Sequence, residues 1–368
     1  MAVPLFDTST PLAGLRAELR AAIDRVIDSE RYILGPEVSA FESEFAAYCG
    51  ASHGVGVANG TDAITIALRA MGVGPDDEVV VPSFTFYATA EAIPPTGATP
   101  VFCDIDPQTY CVTAETVRAV LTPKTKAVIA VHLFGNVAPV TEIEALGVPV
   151  LEDAAQAAGS LSDGGRPGAL GTAATFSFFP SKNLGCFGDG GMITTSDEQI
   201  AERARTLRFH GSHDKVSYEM VGYNSRLDEM QAAILRVQLP HLDGWADGRR
   251  QAARHYELAG LGEYVGLPQP TSGCSPSWHL YVVDCDEPPA VESALAAADI
   301  GHKGYYRTPI HLQPPMQRWA GNSMDLPGTE HAAARHLAIP MSAVLRREQA
   351  DEVMAAIVSV SPGGSSKV

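Results

Sequence analysis

The sequence predicts an α/β protein: a large, mostly parallel sheet covered by helices, followed by a smaller C-terminal α+β unit. Three observations carry that reading. Between about residues 55 and 195, short β-rich apolar runs alternate with stretches of helical length. The runs are continuously apolar, as strands buried on both faces must be. A Pro/Gly/Ser-rich stretch at 267–277 then precedes a second, shorter mixture of strand and helix patterns.

Strands are predicted over 78–82, 100–104, 127–132, 149–153, 174–178 and 191–195, with helices over 61–71, 113–121 and 140–146 between them. In sheets of this kind, ligands bind beyond the carboxyl ends of the strands. Helices follow over 196–209 and 225–239. Pro240 and a helix over 245–258 link the two units, so residues 1–240 form the large domain and 241–368 the small one. The small domain is expected to hold a strand over 278–285, a helix over 289–298, a strand near 301–306 and a last helix over 347–359. The tail at 362–368, rich in Gly and Ser, is expected to be disordered.

Composition sets the outer limits. A chain of 368 residues exceeds one typical core. With 45% hydrophobic and 19% charged residues and a mean hydropathy of +0.02, it reads as an ordinary globular protein. No apolar run approaches the ~18 residues of a membrane span. The first residues lack the basic start and apolar stretch of a leader, so a cytoplasmic location is expected. A formal charge of −17 argues against nucleic acid or acidic membrane as a partner, because phosphate recognition rests on clustered Lys and Arg. The six cysteines lie scattered without a Cys-x-x-Cys pair, which suits reduced, buried thiols. His210 and His213 lack an acid pair at metal spacing, so no metal is expected. Neither a Gly-x-Ser-x-Gly elbow nor a Gly-x-Gly-x-x-Gly fingerprint after a first strand is present.

The chemistry-bearing residues cluster near predicted strand ends. Lys182 stands in a run of small and apolar residues, Phe-Phe-Pro-Ser-Lys-Asn-Leu-Gly, flanked by further glycines. Burial there favours the neutral amine, a nucleophile able to form a Schiff base; a lysine snorkelling beside a Gly-rich turn is the alternative. Gly60 and Thr61 open a helix after a short strand, which makes either a phosphate seat or a plain capped start. Asp153 ends an apolar strand, where it can pair with a protonated ring nitrogen or cap the next helix. Gln156, one turn on, faces the same side. Phe86 follows another strand end and can stack on a flat ligand or pack the core. Ser177, five residues before Lys182, offers a further hydroxyl.

Several stretches together resemble the DegT/DnrJ/EryC1/StrS family of sugar aminotransferases. They are Asn-Gly-Thr-Asp-Ala at 59–63, the segment 74–86 ending Pro-Ser-Phe-Thr-Phe, Gly-Ala-Thr-Pro-Val-Phe-Cys-Asp at 97–104 and Glu-Asp-Ala-Ala-Gln at 152–156. The segments 176–191, 222–233 and 309–314 continue the match in the family's order over nearly the whole chain.

The resemblance implies the aspartate aminotransferase-like fold (fold type I) and pyridoxal 5'-phosphate as cofactor. It implies that Lys182 carries the cofactor as a Schiff base and then moves protons, while Asp153 holds the pyridine nitrogen protonated. Gln156 would contact the ring hydroxyl, Phe86 would stack on the ring, and Gly60, Thr61 and Ser177 would hold the phosphate. Asn224 would reach the phosphate from the neighbouring subunit of a homodimer. Tyr305, Tyr306, Arg307 and His311 would lie near the sugar, with Tyr-Tyr-Arg-Thr-Pro at 305–309 replacing the family's common His-Tyr-Pro-x-Pro. Ser181 stands where Thr is common, which keeps the hydroxyl.

The implied activity is two-stage amino transfer from an amino acid, glutamate first among donors, to a nucleotide-linked keto sugar in deoxyamino-sugar and antibiotic biosynthesis. A dTDP-4-keto-6-deoxyhexose aminated at C4 is favoured over a 3-keto sugar aminated at C3. A sugar dehydratase would replace the Schiff-base lysine, typically with histidine, and a nicotinamide-dependent sugar enzyme would need the missing glycine fingerprint.

Overall fold

The computed structural model describes residues 3–320 and 325–360; the tail at 362–368 lies outside them. Seven strands form the large sheet: β1 (His53–Val57), β2 (Glu78–Pro82), β3 (Thr99–Cys103), β4 (Thr125–Val131), β5 (Val150–Asp153), β6 (Ala173–Ser177) and β7 (Gly191–Thr195). Their order is β1-β7-β6-β5-β4-β2-β3. Strands β3, β2, β4, β5 and β6 pair in parallel, and β7 runs antiparallel to both β6 and β1. The mostly parallel sheet is therefore present, with β7 alone reversed. Its central strands are apolar because both faces are covered, and Val79–Val81 and Val128–Ala130 are fully buried.

Helices α1 (Arg16–Ser29), α2 (Pro36–Cys49), α3 (Gly60–Ala70), α4 (Tyr87–Glu91), α5 (Ala114–Arg118) and α6 (Val140–Glu144) lie in the first part of the chain. Helices α7 (Glu198–Arg208), α8 (Glu229–Gln238) and α9 (Leu242–Leu258) lead out of the sheet. Helix α2 has no capping side chain of its own. Glu229, buried at the start of α8, supplies one: it accepts hydrogen bonds from the N–H groups of Gly35 at 2.8 Å, Glu37 at 2.9 Å and Val38 at 2.8 Å. That use of Glu229 places a negative charge at the positive end of α2.

The C-terminal part contains α10 (Pro288–Ala297), α11 (Pro327–Arg335) and α12 (Arg347–Val358), with β8 (Tyr281–Asp284) antiparallel to β9 (His336–Ile339). A second apolar core gathers Tyr256, Tyr281, Leu295, Leu337, Val353 and Ile357. Val3 joins that core and bridges to Ile300, so the first described residues pack with the last part of the chain.

Two sequence expectations are corrected here. No strand runs over 301–306; Lys303 makes a single bridge to Ala338. The segment is instead pressed against the N-terminal residues: a side chain at Gly301 would start 2.3 Å from the Leu5 nitrogen. The partner of β8 is β9, whose four residues directly follow a helix and give little strand signal. The helix expected from residue 225 begins at Glu229.

Candidate active site

Most of the singled-out residues meet at the carboxyl ends of the codirectional strands. A cavity of about 390 Å³ opens there, bordered by Gly60, Thr61, Phe86, Asp153, Gln156 and Ser177, with Lys182, Tyr305 and Tyr306 completing the set. Asn59 follows β1 and caps α3, its Oδ1 accepting the Asp62 N–H at 2.8 Å. Gly60 is required where it stands, since a Cβ would lie 2.8 Å from that of Ser177 at the end of β6. The start of α3 and the end of β6 thus face the cavity side by side, a polar corner with a helix N-terminus.

Asp153 ends β5 and is buried. Its Oδ2 accepts from the Thr89 hydroxyl at 2.8 Å and its Oδ1 from the Ala155 N–H at 3.2 Å. Burial pushes its pKa up, while those hydrogen bonds and the charge of Lys182 oppose the rise. Lys182 lies in the tight connection between β6 and β7, its N–H bonded to the Phe179 carbonyl at 2.8 Å. Desolvation draws its ammonium down to about 8, against the pull of Asp153. An amine that loses its proton far more readily than an ordinary lysine and a fixed carboxylate therefore share one cavity.

Glu152, next to Asp153, points the other way, as successive residues of a strand must. Its carboxylate is fully buried and meets the His132 Nε2 at 2.8 Å. It also accepts the N–H groups of Gly168 at 3.0 Å, Leu170 at 2.9 Å and Gly171 at 2.9 Å. His132 Nδ1 accepts the Ala138 N–H at 3.0 Å, so its Nε2 carries the hydrogen and the ring is neutral.

Gln156 is fixed at both ends. Its Oε1 accepts the Phe134 N–H at 2.7 Å and its Nε2 donates to the Tyr306 hydroxyl at 3.3 Å. Tyr306 sits among aromatic rings, 6.0 Å from Phe86 and 6.4 Å from Phe134. Phe86 is 55% exposed, so its face is open to the cavity rather than spent in the core.

Three expected residues lie outside this cavity. Asn224 is exposed and borders a separate surface depression with Gly188, Asp189 and Arg226. Arg307 is exposed and pairs with Glu292 at 2.5 Å. His311 is buried, with Nδ1 2.6 Å from the Ser83 hydroxyl, and serves to tie 309–313 to the end of β2.

Among the cavity residues that sequence reasoning missed are Thr89, which bonds Asp153, and an aromatic pair. Phe6 comes from the N-terminal segment and His279 from just before β8, and their rings stack at 6.1 Å. His279 is 4% exposed and its Nδ1 has no partner among the described residues. The only signal was a histidine inside the aromatic run Trp278–Tyr281, which reads as ordinary strand. No group of His, Cys, Asp and Glu side chains suited to a metal occurs among the described residues, and none of their helices is long and apolar enough to cross a membrane.

Comparison with known proteins agrees with the motifs. The DegT/DnrJ/EryC1/StrS aminotransferase family matches residues 14–358. A protein named "Pleiotropic regulatory protein" from Geobacillus stearothermophilus is 45% identical over 361 residues, covering 96% of this chain and 97% of the relative. The dTDP-3-amino-3,4,6-trideoxy-alpha-D-glucose transaminase of Streptomyces venezuelae is 45% identical over 363 residues, covering 96% of this chain and 95% of the relative. Among solved structures, S. venezuelae DesV in complex with a ketimine intermediate superposes with a TM-score of 0.93 at 44% identity, covering 96% of this chain and 97% of that one. The fold is shared with these relatives, and the chain belongs to the DegT/DnrJ/EryC1/StrS aminotransferase family.

Proposed function

We propose that this protein is a pyridoxal phosphate-dependent aminotransferase acting on a nucleotide-linked keto sugar, with an amino acid, glutamate first, as donor. The observation that carries the reading is the pairing in one cavity of Lys182, drawn down to about 8, with the buried, hydrogen-bonded carboxylate of Asp153. The residues present suit the cofactor. A cavity of about 390 Å³ falls in the range of small-molecule sites, and it offers an amine, a fixed acid, an open aromatic face and a helix N-terminus.

When bound, pyridoxal phosphate supplies a carbonyl that carries the amino group and a ring that takes up the electron pair freed by deprotonation. Lys182 would hold it covalently. Asp153 would hold its ring nitrogen, and Thr89 keeps the carboxylate aimed. Gln156 would meet its ring hydroxyl, Phe86 its ring face, and Gly60, Thr61 and Ser177 its phosphate. With the cofactor bound, the Lys182 Nζ would be the base that takes the proton from the donor's α-carbon and holds it for return during transfer. A pKa near 8 keeps enough free amine for that work at neutral pH.

The sugar end is read from Tyr305 and Tyr306, which border the cavity. The similarity to the dTDP-3-amino-3,4,6-trideoxy-alpha-D-glucose transaminase of S. venezuelae supports a dTDP-linked sugar aminated at C3, against the C4 preference that the family resemblance implied. Assays with glutamate and dTDP-linked 3-keto and 4-keto sugars separate the two. Turnover of neither, alongside a visible absorbance band that borohydride abolishes, would restrict the reading to the cofactor. Absence of that band after incubation with pyridoxal phosphate would sink it altogether.

We also infer a homodimer with Asn224 serving the partner's phosphate site, and a division of the chain near residue 240, which the separate C-terminal apolar core supports. Mixing Lys182→Ala with Asn224→Ala chains tests the first point. Hybrid dimers with one intact site should recover activity that neither variant has alone. No recovery in verified hybrids counts against a shared site.

A further inference from the structure

We propose that Thr85 and Thr89 form a one-way relay of hydroxyl hydrogen bonds that holds Asp153 as a carboxylate, with Thr85 a positioning residue acting through Thr89. The proposal rests on the aminotransferase reading above, which gives Asp153 the cofactor's ring nitrogen and leaves open what keeps a buried acid ionised.

Thr85 lies between β2 and α4, Thr89 lies in the first turn of α4, and both border the cavity. They are 2% and 1% exposed. The Thr89 hydroxyl donates to Asp153 Oδ2 at 2.8 Å, and the two threonine oxygens are 3.1 Å apart. A hydroxyl has one hydrogen to give. Thr89 gives its own to Asp153, so the hydrogen between the threonines comes from Thr85. The order Thr85, Thr89, Asp153 therefore has one direction, and it ends on an acceptor. If Asp153 were protonated and bonded through that proton, both bonds would have to turn round. The Ala155 N–H, which meets Oδ1 at 3.2 Å, is a fixed donor and also favours the anion.

No other group around Asp153 does this work. Lys182 faces it from the β6–β7 connection, His132 from just after β4 and Tyr306 from the 305–306 segment. None of these three is hydrogen-bonded to its carboxylate among the described residues: His132 turns to Glu152 and Tyr306 to Gln156. Burial pushes the Asp153 pKa up, and the Thr89 hydrogen bond is the largest influence against that rise.

Thr85 strengthens that bond at one remove. By donating to Thr89 it polarises the Thr89 O–H, which becomes a better donor to the acid. The Thr85 side chain has no other hydrogen-bond partner among the described residues. Its place is set from the sheet: the Ser83 N–H, two residues earlier, donates to the Cys103 carbonyl at 3.1 Å, and Phe84 between them is fully buried.

The test begins with cofactor-free protein carrying carbon-13 at the aspartate carboxyls, the Asp153 resonance being identified by its loss in Asp153→Asn. Thr89→Val keeps the shape and removes the hydroxyl; it should raise the proton affinity of Asp153 about tenfold. Thr85→Val should raise it about threefold, and Thr85→Ser, which returns a hydroxyl, should restore the wild-type titration. In loaded protein with nitrogen-15 in the cofactor ring, the ring-nitrogen resonance should move towards that of an unprotonated pyridine, further in Thr89→Val than in Thr85→Val. In the wild-type protein the Thr85 methyl resonance should titrate together with the Asp153 carboxyl, because protonation turns the relay, a readout that needs no variant to fold. An unchanged Asp153 titration in Thr85→Val, a Thr85→Ser protein that stays shifted, or a wild-type Thr85 methyl indifferent to Asp153 would each overturn the proposal. Failure of the wild-type protein to take up pyridoxal phosphate would instead strike the reading on which it rests, while the cofactor-free titration still decides the relay.

Discussion

The two walls of the cavity are built differently. One wall comes from strand ends: Gly60 and Thr61 after β1, Phe86 after β2, Asp153 and Gln156 at and after β5, and Ser177 closing β6. Each sits at the end of a paired, buried strand or a few residues beyond it, so the sheet sets its position. The other wall comes from irregular chain, with Tyr305 and Tyr306 in a segment that makes one bridge to β9 and Phe6 from the N-terminal run. The first wall holds the groups that suit a cofactor; the second holds those nearest a variable substrate. On the proposed function, most groups assigned to the cofactor lie on the strand-end wall and those assigned to the sugar on irregular chain, where change disturbs the sheet least.

Substitutions can break or sharpen that contrast. Lys182→Ala should remove the visible absorbance band of the loaded protein and lower transamination by about 10⁴-fold or more, measured spectrophotometrically. Asp153→Asn should keep the cofactor yet slow the amino-donor half-reaction about 10²- to 10³-fold in stopped-flow, and an unimpaired rate would refute its role. In the irregular wall the effects should be smaller. Tyr306→Phe loses one hydrogen bond to Gln156 and should change kcat/KM for the sugar by about three- to tenfold, with the donor half-reaction spared. Arg307→Ala should change it by less than about twofold, because an exposed pair with Glu292 contributes little. If Arg307→Ala instead abolished sugar turnover, the substrate would reach further out than the cavity described.

A pH experiment probes Lys182, in the connection between β6 and β7. In cofactor-free protein Lys182 titrates near 8, whereas the unfolded chain's lysine titrates near 10.5. Between those values the folded state binds fewer protons, so stability contributed by this group rises with pH across that window and its penalty is full below about pH 8. Lys182→Met should therefore raise the melting temperature at pH 7, by an amount worth about 1–2 kcal/mol after allowance for the partly open cavity, and the gain should shrink towards pH 10.

The same contrast explains what could be read from the sequence. Taken singly, Lys182, Asp153, Gln156, Gly60, Thr61 and Ser177 each allowed a plain structural reading; the family resemblance joined them into one set, and the structure brings them to one cavity. Phe6 and His279 could not be expected there, since stacking between residues so distant along the chain leaves no periodic trace. Arg307 and His311 were linked to the sugar by family position, yet their side chains turn to Glu292 and Ser83. Strand β9 was hidden because its four residues carry no alternation of their own; pairing with β8 makes it a strand. Helix α2 takes its cap from Glu229, far along the chain, so no capping side chain marks its start in the local sequence.

Adjacent carboxylates on β5 show how closely sheet and chemistry are joined. Glu152 anchors the 168–171 turn and His132 on one face, and Asp153 serves the cavity on the other. A slip of β5 by one residue against its neighbours would exchange the two faces. The anchoring acid would enter the cavity, and the turn would lose its acceptor at the same moment. Fold and reaction therefore share one reading frame: any displacement that would misplace the acid also unfastens the turn beneath it, so a misregistered sheet is selected against by stability before its chemistry is ever tried.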